Sequence, residues 1–147
     1  MSESNVPRPA IWLGLTGILP SLAAIVAMVA WPAAQDVATS AALTYGAMVA
    51  SFVGGTWWGL AALKAPPEAL SRYLQLAIMP TLVAWLAVLA QPAAGFAILA
   101  VLFIVLPPTD RRLQAAGMTP GWWLAQRRPL SFSMAALQAA ASLILLF

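Results

Sequence analysis

Residues 73–109 read YLQLAIMPTLVAWLAVLAQPAAGFAILAVLFIVLPPT, 37 residues without a charged side chain. Whether this stretch crosses a bilayer once or twice decides the fold. A crossing helix needs about 20 apolar residues to span a hydrocarbon core of roughly 30 Å, so there is length for two. Gln91-Pro92-Ala93-Ala94-Gly95 lies near the middle, and a proline and a glycine this close mark a turn. The turn gives one span over 72–90 and another over 93–106. The second is short, because its 14 residues rise only ~21 Å, and the spacing predicts an irregular continuation through Pro107-Pro108.

Three further stretches, 9–35, 37–63 and 129–147, are also free of charge. Each holds one crossing, expected over 10–31, 39–63 and 130–147. The chain therefore reads as all-α, a single domain over 1–147 built as an integral membrane bundle of five transmembrane helices. Composition agrees: 63% of residues are hydrophobic and 7% charged, against about 25% charged in soluble domains. Such a chain cannot cover a water-facing surface with polar groups.

The basic residues set the orientation. All seven fall at Arg8, at Lys64 and Arg72, and at Arg111, Arg112, Arg127 and Arg128. Five crossings place all of them on one side. A re-entrant fourth segment would split them three against four. The positive-inside rule favours five crossings, with the N-terminus cytoplasmic and the C-terminus outside a bacterial inner membrane. Asp36 then falls in a short outer loop.

Several function classes drop out. There is no Cys and no His, which removes disulfides and the thiolate and imidazole ligands of metal and haem sites. No metal site, cofactor or catalytic motif is expected. The net charge of +3 comes from residues flanking apolar spans, which is a topology signal and does not point to nucleic acid. Residues 1–31 do not read as a cleaved leader, because the apolar run is about twice the length of a signal-peptide core.

That first span also resembles a later one. Residues 19–34 read LPSLAAIVAMVAWPAA and residues 79–94 read MPTLVAWLAVLAQPAA, identical at eight of sixteen positions. Pro20 matches Pro80 and Pro32 matches Pro92. The pattern suggests a duplicated parallel hairpin plus one helix, an arrangement found in some transporter folds. Pro20 and Pro80 are expected to kink their helices near mid-span.

The second span carries the densest motif. Gly46, Ala50 and Gly54 form one row of small residues, and Ser51, Gly55 and Gly59 form another. Small residues four apart let helix backbones approach closely. The same bare backbone, beside Trp57, Trp58 and Trp85, also suits a flat apolar ligand. Tyr45, Ser51 and Gln138 are the polar side chains such a ligand or a neighbouring helix would meet. Both readings stay open for these residues, and the small rows suit a membrane-protein partner or a second copy of the chain.

Residues 107–129 are expected to form a long inner loop. Within it Thr109-Asp110 would cap a short helical turn ending at Gly117, and 120–128 would form a short interfacial helix. Trp122 and Trp123 would sit among headgroups, with Arg111, Arg112, Arg127 and Arg128 on lipid phosphates. Asp110, Arg111 and Arg112 are the polar cluster a membrane enzyme would draw on; a helix cap beside phosphate anchors explains them more simply.

Three segments together resemble a known group. They are residues 43–60 (LTYGAMVASFVGGTWWGL), 78–86 (IMPTLVAWL) and 110–130 (DRRLQAAGMTPGWWLAQRRPL). In order and spacing they are similar to small bacterial membrane proteins of unknown function related to mitochondrial transmembrane protein 69. The likeness rests on Tyr45, Gly46, Ser51, Phe52, Gly54, Gly55, Trp58 and Gly59, on Pro80 and Trp85, and on Asp110, Arg111, Pro120, Trp122, Trp123, Arg128, Pro129 and Leu130. Trp123 stands where that group more often has tyrosine. The resemblance implies five spans and carries no activity. The five-span tryptophan-rich sensory proteins share the span number, but their tryptophan, paired-proline and tryptophan-threonine-leucine-tyrosine pattern is absent.

The expected role is a non-enzymatic accessory or assembly protein in contact with membrane lipids. The alternative is a carrier or receptor for an apolar or aromatic small molecule. Charge placement also generates a topology test. A reporter fused at Phe147 should be active only in the form that works outside the cytoplasm; cytoplasmic activity there would restore a re-entrant fourth segment.

Overall fold

A computed structural model describes residues 5–147. Five helical segments are long and apolar enough to cross a membrane. The first crossing is made of two helices, α1 (Arg8–Thr16) and α2 (Leu19–Ala30). A 3₁₀ turn over Pro32–Ala34 leads into α3 (Gln35–Lys64). Then come α4 (Pro67–Leu89), α5 (Pro92–Ala115) and α6 (Trp123–Leu146). The chain is an all-α, five-span bundle.

Prolines place most of the starts. Pro67 and Pro92 sit in the first turns of α4 and α5, where a missing N–H costs no helical hydrogen bond. Pro20 does the same for α2. The expected kink there is a full break at Gly17-Ile18 instead. Pro80, its partner in the repeat, lies inside a continuous α4. The two halves of the repeat are therefore built differently: Gly17 lies three residues before Pro20, whereas Ala77 holds the equivalent place before Pro80.

Three expected boundaries move. The connection between α3 and α4 shrinks to Ala65-Pro66, so Arg72 lies within α4. Asp36 is not in a loop but in the first turn of α3, where a carboxylate favours the positive end of the helix dipole. The inner loop of 107–129 is largely absent, because α5 runs through Pro107 and Pro108 to Ala115 and α6 runs through Pro129. The short interfacial helix is simply the first turns of α6. Trans prolines hold a helix-compatible φ, so the helices continue through them.

What ends α5 is Gly117, with φ +72°. Gly117 N–H donates to the Gln114 carbonyl at 2.9 Å and Met118 N–H to the Leu113 carbonyl at 3.0 Å. This is the Schellman pattern, and its accompanying apolar contact is supplied by Leu113 and Met118, both buried.

Helix α3 is the hub, touching α2, α4, α5 and α6. Its row of Gly46, Ala50 and Gly54 is buried. A Cβ at Gly54 would collide with the Ala77 carbonyl oxygen and lie 3.5 Å from Pro80, so α3 and α4 meet backbone to backbone there. Gly95 of α5 makes the same kind of approach to the Ala87 carbonyl of α4. The other row differs: a Cβ at Gly55 or Gly59 would meet nothing within 4 Å. Trp12, Trp31, Phe52, Trp58 and Trp85 are exposed on the outside, where a lipid-facing surface needs apolar side chains.

The two rows should respond oppositely to an added methyl. Gly54→Ala forces α3 and α4 apart and is expected to cost about 1–3 kcal/mol, the usual range for overpacking. Gly55→Ala should be neutral or stabilising, by up to about 1 kcal/mol of helix propensity. Thermal unfolding of both variants in one detergent checks this, and equal losses would mean that the α3–α4 contact is misplaced.

Candidate functional site

A polar cluster inside the bundle is built around Asp110. It lies on the last turns of α5 and is fully buried. Trp57 Nε1 of α3 donates to its Oδ1 at 2.8 Å. Trp123 Nε1 of α6 donates to the same oxygen at 2.9 Å. Arg127 Nε, one turn further along α6, donates to Oδ2 at 3.2 Å. Trp123 and Arg127 are four apart, which places them on one helix face, and the Arg127 guanidinium lies 5.9 Å from the Trp123 ring centroid. Two indoles and a guanidinium from two helices thus converge on a carboxylate from a third.

This arrangement binds a carboxylate rather than exposing one. Both oxygens are engaged and no solvent reaches them, so Asp110 is not placed to take a proton from a substrate. Arg111 and Arg112 point elsewhere and are exposed, so the Asp110–Arg111–Arg112 cluster expected from sequence does not assemble. The helix-cap role expected for Asp110 also fails, because the residue sits inside α5. Among the described residues no three His, Cys, Asp or Glu side chains come close enough to hold a metal ion.

A second feature lies beside it. A cleft of about 350 Å³ runs between the α1–α2 break, α3 and α6, with Phe103 of α5 among its lining residues. Gly14 and Gly17 leave it room. Tyr45 lines it and donates its hydroxyl to the Gly17 carbonyl at 2.7 Å. That carbonyl lies at the break, so Tyr45 supplies a donor where the helical ladder is interrupted. Gln126 Nε2 donates to the Ala10 carbonyl and ties the start of α1 to the start of α6.

The other residues expected from sequence are scattered. Trp57 is buried in the Asp110 cluster, whereas Trp58 and Trp85 are 48% and 59% exposed, so the three indoles share no pocket. Gly54 is closed off by α4; Gly55 and Gly59 are open, and Ser51 is half-buried on the same row. Gln138 is fully buried in α6 against Gly46, and neither polar atom of its amide has a hydrogen-bond partner among the described residues. Arg128 is exposed and Trp122 half-buried. Sequence reasoning missed the convergence on Asp110. Trp57 is 53 residues from it, and no local pattern could join them.

A family profile described as "Protein of unknown function (DUF3429)" matches residues 6–143. The chain belongs to that family. The match runs from just before α1 nearly to the end of α6. Transmembrane protein 69 of Xenopus tropicalis is 36% identical over 87 residues, covering 58% of this chain and 34% of that protein. Transmembrane protein 69 of Mus musculus is 28% identical over 123 residues, covering 82% and 50%. The chain therefore spans at most half the length of these relatives. No solved structure matches it.

Within this family member the Asp110 cluster should behave as a structural tie. Asp110→Ala strands a mostly buried guanidinium and is expected to cost about 3–5 kcal/mol. Trp57→Phe removes one hydrogen bond to a carboxylate and should cost about 1.5–3 kcal/mol. Unfolding of the two variants in detergent measures both; a wild-type melting point for Asp110→Ala would sink the assignment.

Proposed function

We propose that this chain is a non-enzymatic accessory or assembly protein of the bacterial cytoplasmic membrane, with its N-terminus inside and its C-terminus outside. The orientation draws on the basic residues. Arg8, Lys64, Arg72, Arg111, Arg112, Arg127 and Arg128 belong to the ends of helices that meet on one side of the bundle, and that side is cytoplasmic by the positive-inside rule.

The observation that carries the role is the saturation of Asp110. Among the described residues Asp110 is the one fully buried carboxylate; it is held by three donors, and a general acid or base must be free to exchange its proton. What remains available is surface. In the Ser51, Gly55 and Gly59 row on α3 the two glycines are uncovered and Ser51 is half-buried, and small residues at this spacing admit a second helix closely. Its partner is a transmembrane helix of another membrane protein or of a second copy.

Gentle extraction from the native membrane followed by native mass spectrometry tests this. A stoichiometric protein partner, lost on Gly55→Leu with Gly59→Leu, is expected. A monomer carrying only lipid in both forms would remove the adaptor reading. The second reading, a carrier for an apolar small molecule, is favoured by the cleft beside Tyr45 and would then take precedence.

A further inference from the structure

The cleft beside the α1–α2 break has one charged lining residue, Arg127, and otherwise mostly apolar walls that include Val49, Phe52, Leu130 and Met134. Its shape depends on missing side chains. A Cβ on Gly14 would stand 2.8 Å from Leu130 Cδ1. Arg127 is underused: Nε donates to Asp110, while Nη2 is buried with no hydrogen-bond partner among the described residues. A charged donor left without an acceptor in an apolar setting is costly. The side chain nonetheless keeps 14% of its surface exposed.

Depth matters as much as charge. Arg127 lies in the second turn of α6, at the end of the bundle that carries the basic residues. Met134 is seven residues further in, ~10 Å along the helix axis. The cleft therefore offers a guanidinium at headgroup depth and an apolar slot running inward beneath it. Free phosphate would satisfy the guanidinium and leave the slot bare. A neighbouring helix would fill the slot and leave the guanidinium without its acceptor. A lipid with an acidic headgroup does both.

We propose that this cleft binds one acidic phospholipid, with its phosphate on Arg127 and the first part of an acyl chain laid between α3 and α6. Guanidinium and phosphate match in charge and in fork geometry, and basic pockets between helices on the cytoplasmic side hold lipid headgroups. The site volume, about 350 Å³, lies within the range of small-molecule sites. Assignment to the inner leaflet rests on the orientation proposed above; the binding site itself does not.

The test uses the full chain in a neutral maltoside detergent. Phosphatidylglycerol and phosphatidylcholine of identical chains are titrated and followed by native mass spectrometry. One phosphatidylglycerol is expected to bind roughly tenfold more tightly than phosphatidylcholine, the size of one charged hydrogen bond. Arg127→Gln should abolish the preference. Val49→Trp narrows the slot without touching the Asp110 cluster and should weaken both lipids by a similar factor, so the proposal stays testable if Arg127→Gln fails to fold. Equal affinity for the two lipids in the wild type would overturn it. So would wild-type binding by Val49→Trp, or displacement of the lipid by millimolar inorganic phosphate. Dimers that Val49→Trp dissociates would overturn it in favour of a second copy in the cleft.

Discussion

Asp110 is a carboxylate fully buried among apolar helices, and the end of the bundle that carries the basic residues is arranged around it. Taking a carboxylate out of water costs several kcal/mol unless hydrogen bonds and an opposite charge replace its hydration. Three donors do so here, and they come from α3 and α6. That requirement holds α3, α5 and α6 in one relative register at the end of the bundle that carries the basic residues. Because α5 continues past Pro107 and Pro108, it carries Asp110 to a place between Trp57 and Trp123.

Away from that tie, the helices are held by closeness rather than by apolar side chains as such. Lipid tails are as apolar as leucine, so membrane helices gain little from hiding leucine from lipid. They gain from backbone approach, and Gly54 against Ala77 and Gly95 against Ala87 supply it. The buried alanines Ala42, Ala50, Ala84 and Ala87 extend the same flat contacts. The first crossing takes less part in this packing. Its break at Gly17 draws on Tyr45 for a hydrogen bond and leaves the cleft open between α1, α3 and α6.

Five crossings could be read from the chain because length and charge placement are local properties of sequence. Boundaries were less legible wherever proline was taken as a stop. Pro107, Pro108 and Pro129 lie within helices, because the fixed φ of proline suits a helix and the lost hydrogen bond can be offset by tertiary contacts that no local window contains. Gly117 was read correctly as the end of a helix, since a left-handed turn is a demand on a single residue. The rows on α3 were legible as small-residue faces. Which of them packs was not, because that depends on where α4 arrives.

By itself the sequence determined the class of the protein, the number of its crossings, its small-residue rows and the position of its basic residues. Each follows from composition and period along one chain segment. Only the tertiary structure decided that Trp57 faces inward to Asp110 while Trp58 faces outward, that Gly54 is closed and Gly55 open, and that Arg127 stands between a carboxylate and a cleft. Those outcomes depend on which helix faces meet. That is set by donors and close approaches between residues on different helices, such as Trp57 and Asp110, 53 positions apart, where the periodicity of one helix carries no information.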